Sequence, residues 1–138
     1  MKLRLFLGII FLSVLQTLTA QETMDTAKTH YALIVSFQSH CCGVPTETSL
    51  RNFIASYKKK YRIKKISANR IGPMGREGEY YLAFKLTELN KKQAKDFISK
   101  VKKIKLLKED KGSLSFKEKE EIDATGLPQR AVRKTIDF

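Results

Sequence analysis

The sequence predicts an α+β domain in split βαβ order, with two helices on one face of an antiparallel sheet, and three observations carry this. Residues 31–37 form a short, uninterrupted apolar run rich in branched side chains. Residues 79–86 alternate between two faces with a period of two. Two further segments, near 46–61 and 90–104, repeat apolar residues at helical spacing.

The chain opens on a targeting segment. Lys2 and Arg4 precede the apolar run Leu5 to Leu12, and Leu18-Thr19-Ala20 closes it. Ser13, Gln16 and Thr17 interrupt the run well before the ~20 apolar residues that a spanning helix requires. Residues 1–20 therefore read as a cleavable secretory signal, which makes the protein secreted or periplasmic. Residues 21–29 are a polar lead-in.

The domain proper is expected over residues 30–117. Tyr31 to Phe37 suits a central strand buried on both faces. Residues 38–45 form a loop containing Gly43. Thr46 is placed to cap the first helix, with Glu47 in its first turn and Leu50, Phe53, Ile54, Tyr57 and Tyr61 as its apolar stripe. Ile63 to Ile71 is a weaker strand, and residues 72–78 are a glycine-rich loop. In the next strand Tyr80, Leu82, Phe84 and Leu86 share one face and Tyr81, Ala83 and Lys85 the other. Asn90 with Gln93 makes a capping box, stapled by Leu89 and Ala94, for a second helix whose stripe is Ala94, Phe97, Ile98, Val101 and Ile104. After a turn at Asp110-Lys111-Gly112, residues 113–116 supply an edge strand. This order, βαββαβ, is that of a ferredoxin-like sandwich. Residues 118–138, mixed in charge and carrying Gly126 and Pro128, fall outside the pattern as a C-terminal tail.

Composition bounds the function. With 27 basic against 14 acidic residues the net charge is +13, which favours an anionic ligand or an acidic protein partner. The lysine pairs are spread along the chain, so a solvated basic surface explains them equally. No long apolar run follows the signal, so the mature protein carries no transmembrane helix. Two cysteines exclude a disulfide-dense scaffold, and the domain must fold on its apolar core.

Those two, Cys41 and Cys42, are adjacent in the loop between the first strand and first helix, beside His40 and Gly43. Three readings stand. One thiol packs inward as a small hydrophobe while the other is partly exposed. Alternatively the pair forms a strained or intermolecular disulfide, since neighbouring Cα atoms lie ~3.8 Å apart, below the usual disulfide range. Or soft thiolates with His40 hold Cu or Zn. In fold order and loop position this segment is similar to the heavy-metal-associated domains, small copper carriers whose thiolates occupy the same loop. The resemblance implies a metal site at Cys41 and Cys42, although in that family two residues separate the cysteines.

Gly72, Gly75 and Gly78 have the spacing G-x-x-G-x-x-G, but a strand follows, so this is no dinucleotide fingerprint. Arg76, Glu77 and Glu79 are candidates for contacting a polar ligand. The third strand faintly resembles the RNA-recognition signature in Gly78, Tyr81, Leu82 and Phe84. Glu79 replaces a stacking aromatic and Ile34 stands where another is required, so nucleic acid is disfavoured. No paired carboxylates, triad or organic-cofactor loop emerges. The sequence thus points to a small exported, non-enzymatic binding module presenting the Cys41-Cys42 loop and the glycine-rich loop. The alternative is a thiol-based metal carrier or redox protein.

The targeting segment makes a direct prediction: mature protein begins near Gln21 and is recovered outside the cytoplasm. N-terminal sequencing checks this, and Met1 on mature protein embedded in a membrane refutes it.

Overall fold

The computed structural model describes residues 28–108 and 111–138, so the signal segment and most of the polar lead-in lie outside the described residues. Thr29–Gln38 forms β1, and Leu33, Val35 and Phe37 send their side chains to one face while Ile34 and Ser36 occupy the other; all five are buried. A continuous apolar run becomes a strand covered on both sides.

Thr48–Tyr61 forms α1, and its buried stripe is Leu50, Ile54 and Tyr57. The helix starts later than the Thr46 cap predicts. Glu47 is itself the capping residue, makes no side-chain cap, and leaves no acid in the first turn. Lys58, Lys59 and Lys60 sit in the last turn, where positive charge meets the unsatisfied carbonyls. Arg62, at φ 52, closes the helix in the left-handed region.

β2 is Ser67–Gly72 and β3 is Tyr80–Phe84. Both are shorter than the sequence suggests. Ile63 and Ile66 reach the core from irregular chain ahead of β2, and Leu86 ends regular pairing by adopting φ 57. Lys91–Val101 forms α2, opened by the predicted capping box: Asn90 accepts from the Gln93 N–H and the Gln93 side chain accepts from the Asn90 N–H. Leu89 and Ala94 pack against one common core, as a staple requires.

β4, Ser113–Ile122, runs well past the predicted residue 116, and Val132–Asp137 forms a fifth strand, β5. The C-terminal segment 118–138 is therefore part of the sheet rather than a tail outside it. The reason it escapes the pattern is positional. Lys117 to Glu121 and Val132 to Thr135 lie on the two sheet edges and are exposed, so no burial imposes alternation on them. Charged side chains on edge strands also block pairing with another chain.

The sheet is antiparallel throughout, in the order β4-β1-β3-β2-β5. Both helices cover one face. Between them and the sheet lies the main core, with Leu82, Phe84, Ile54 and Phe97 buried and Phe53 and Ile98 half-buried at its margin. Aromatic rings join the helices: Phe97 lies 5.4 Å from Phe53 and meets Tyr57 edge-on at 5.2 Å. The Tyr57 hydroxyl donates to the Gln93 carbonyl at 2.7 Å, and burial pushes that phenol's pKa up.

The opposite face carries a second cluster: Tyr31, Ile34, Ile71, Ala83 and Ile122. It is covered by the β4–β5 connection. β4 ends opposite Thr29 and β5 begins opposite Gly72, so residues 123–131 must cross the sheet diagonally. Leu127 packs on the second cluster, which puts the crossing on the face away from the helices. β5 then runs down beside β2, and Phe138 packs 5.9 Å from Phe84 with the Arg51 guanidinium 4.9 Å from its ring.

Truncating Phe84 or Phe97 to Ala should each cost about 3–5 kcal/mol, the usual range for a buried aromatic. Denaturant unfolding at constant m-value measures it. A loss below about 1 kcal/mol at both positions contradicts this core.

Candidate functional site

Two loops that are distant in sequence leave the same end of the sheet. Phe37 pairs with Tyr80 across β1 and β3, and their rings stack at 4.6 Å with planes 9° apart. Beyond this pair, one loop climbs from β1 to α1 and the other joins β2 to β3.

The first loop turns at Gly43, whose φ of 105 lies in the region that side chains avoid. It descends through buried Pro45 to Glu47, whose carboxylate side chain is only 10% exposed. Arg51 bonds Glu47 Oε2 through Nη2 at 2.6 Å and Nε at 2.8 Å. On Oε1, Arg70 donates at 2.5 Å and the Tyr80 hydroxyl at 3.0 Å. The Arg70 guanidinium also lies 3.5 Å over the Tyr80 ring. Burial pushes the Tyr80 phenol up, and the neighbouring Glu47 charge adds to that, so the hydroxyl stays a donor. This network fixes the far end of the cysteine loop against β2 and β3.

The second loop is closed by the Met74 N–H donating to the Glu79 carbonyl at 2.6 Å. The Glu79 carboxylate folds back over the loop and accepts from the Glu77 N–H at 3.1 Å. Gly75 makes this possible, since a Cβ there would stand 2.1 Å from Glu79 Oε2.

Between the loops lies a cleft of about 370 Å³. Ser39 and His40 line it from the first loop, Met74 and Glu79 from the second, and Phe37, Tyr81 and Ser113 from the strands. The Ser39 hydroxyl is buried and has no hydrogen-bond partner among the described residues. A buried polar atom without a partner is costly and calls for an explanation at its site.

The sequence-predicted residues divide. His40 and Glu79 come together as walls of one cleft. Cys41 and Cys42 are free, exposed, and outside its lining. This is neither the inward-packed thiol nor the internal disulfide among the sequence-based readings. A hydrogen bond with the Cys41 side chain, slight desolvation, and the Cys41 and Glu77 charges all push the Cys42 thiol up. That shift disfavours the thiolate, the form that attacks or binds metal. Among the described residues no group of three His, Cys, Asp or Glu side chains converges. Arg76 and Glu77 are exposed at the loop tip, and neither lines the cleft.

Sequence reasoning missed Ser39, Met74, Tyr81 and Ser113 as cleft residues. Only the strand pairing brings them together: Ser113 sits opposite Gln38, and Tyr81 opposite Ser36. Comparison of the chain with protein-family models, curated proteins and solved structures finds no match.

Exposed thiols contribute little to stability. Replacing Cys41 and Cys42 together with Ser should change unfolding free energy by no more than about 0.5 kcal/mol, and a thiol-reactive dye should count both on folded, reduced protein. A loss of about 1–3 kcal/mol, or a count below two, contradicts this placement.

Proposed function

We propose that the protein is a small exported, non-enzymatic binding module that holds its ligand or partner in the cleft between the β1–α1 and β2–β3 loops. The observation that carries this reading is the buried, unpartnered Ser39 hydroxyl in a cleft that two independent loops build. His40 and Glu79 supply polar contacts of both kinds, and Phe37, Met74 and Tyr81 supply apolar surface, the mixture that binding clefts use. Cys41, Cys42, Arg76 and Glu77 stand around this end of the sheet, placed to meet a partner larger than the cleft.

We further propose that the scaffold is a ferredoxin-like sandwich with an added strand. The order β1-α1-β2-β3-α2-β4 and the strand neighbours β4-β1-β3-β2 support it, with β5 attached outside β2. Loops at the ends of such a sheet vary without disturbing the core, which suits them to recognition.

The alternative is a thiol-based metal carrier or redox protein, which the exposure of two adjacent free thiols favours. One experiment separates the readings. A photo-crosslinking residue is placed at Gln38, and in a control at Lys64, and the protein is exported by its own cells. Mass spectrometry then identifies adducts, bound metal and thiol oxidation together. Adducts from the Gln38 probe that disappear with Glu79→Arg support the cleft. Metal or disulfide at Cys41 and Cys42 with no cleft-dependent adduct supports the alternative and overturns the first reading.

A further inference from the structure

On the helix-covered face, α2 and β4 part company and leave a second groove of about 530 Å³, at the sheet edge carrying β4. Its origin is legible residue by residue. Leu114 and Phe116 of β4 pack into the main core, but the next position on that side is Glu118, so the apolar layer stops. Ala32 of β1 faces the gap with only a methyl group, and Ile98 of α2 lines it from above, half-buried. The β1–β4 ladder is also broken here. Pairing skips Ala32 between Tyr31↔Glu120 and Leu33↔Glu118, and its natural partner, Lys119, is held at φ 54. A residue with a side chain in the left-handed region is strained, and such strain gathers at ligand sites.

The rim is basic. Lys95, Lys102, Lys103 and Lys119 surround an apolar strip, against the one carboxylate of Glu118. Lys102 is neutralised by Glu118 at 2.7 Å. Lys95, Lys103 and Lys119 make no ion pair among the described residues. An apolar trough under ammonium groups that make no ion pair among the described residues is complementary to a hydrocarbon chain ending in an anion. No aromatic ring lines the groove to stack a base, and a flat polyanion would leave the recessed apolar strip in water. The volume lies within the range of small-molecule sites.

We propose that this groove binds a long-chain fatty-acid anion, the chain lying along Ala32 and Ile98 and the carboxylate held by Lys95, Lys103 and Lys119. The test uses the full mature chain and oleate below its micellar concentration, followed by titration calorimetry. Saturable one-to-one binding is expected, with methyl oleate at least about tenfold weaker because its head carries no charge. The double substitution Lys95→Glu with Lys103→Glu should weaken oleate at least about tenfold. Ser99→Trp, on an exposed position of the rim, should block the trough without entering the core, and circular dichroism checks that it folds. Absence of oleate binding overturns the proposal. So does equal binding of methyl oleate, or binding that both variants leave unchanged. Adsorption to anionic phosphatidylglycerol vesicles without uptake of free oleate also overturns it, and assigns the lysines to a membrane surface.

Discussion

The Glu47 carboxylate is the contact on which the arrangement of this end of the molecule depends. It lies at the start of α1, nearly buried, and its two oxygens are shared among Arg51 from the same helix, Arg70 from β2 and Tyr80 from β3. An ion removed from water in this way is tolerable only when its acceptor sites are filled, and here they are. The consequence is geometric. Helix α1 cannot slide along the sheet without stranding a buried charge. The cysteine loop, tied at one end to β1 and at the other to Glu47, therefore holds a fixed position over the Phe37–Tyr80 stack. The cleft beside Ser39 inherits that rigidity from a contact that is not part of it.

The elements that face the core were readable from sequence, because burial writes a period into it. Leu82 and Phe84 declared β3, Phe97 and Val101 declared α2, and the Asn90–Gln93 box marked where α2 begins. What could not be read is the part of the fold with no buried face. The lower half of β4 is Lys-Glu-Lys-Glu-Glu, and β5 is exposed at five of its six positions. Backbone pairing with β1 and β2 makes them strands, with burial confined to Ile122 and Ile136, and backbone hydrogen bonds leave no mark on side-chain choice. Glu47 shows a different limit. A carboxylate after Thr46 looks like ordinary first-turn chemistry, and only the register of β2 and β3 brings Arg70 and Tyr80 to it.

The lysines were misleading in the same way. Their pairs are scattered along the chain, yet Tyr61 bonds Asp96 at 3.0 Å and Tyr57 bonds the Gln93 carbonyl at 2.7 Å, which joins the second half of α1 to the first half of α2. Lys58, Lys59, Lys60, Lys91 and Lys92 thereby gather at one end of the helical layer, opposite the cysteine loop. Asp96 is the local counterweight. The bond from Lys100, aided by the Tyr61 hydroxyl, holds its carboxyl below the usual range, so it remains an anion inside this cationic region. The connection from α2 to β4 carries Lys102, Lys103, Lys105, Lys108 and Lys111 back to the cleft end, where Ser113 pairs with Gln38, so basic side chains stand at both ends of the sheet.

A single irregularity links the two faces of the sheet. Where the β1–β4 ladder breaks at Ala32 and Lys119, the alternation of side chains along β1 slips. Tyr31 and Ile34, three apart, both join the second cluster, and the Tyr31 hydroxyl accepts from Asn69 Nδ2 at 2.8 Å across the open face. Ala32 and Leu33, direct neighbours, both turn to the helices. The slip supplies Tyr31 to the face that the strap 123–131 crosses, where Leu127 and Met74 pack on the second cluster. On the other face it leaves a methyl where a larger side chain would close the gap under α2. A regular strand would do neither, since strict alternation would send Tyr31 to the helices with Leu33 and Val35. The strained backbone at Lys119 is therefore offset by burial of Tyr31 and Ile122 on one side, and it leaves the lysine-rimmed groove open on the other.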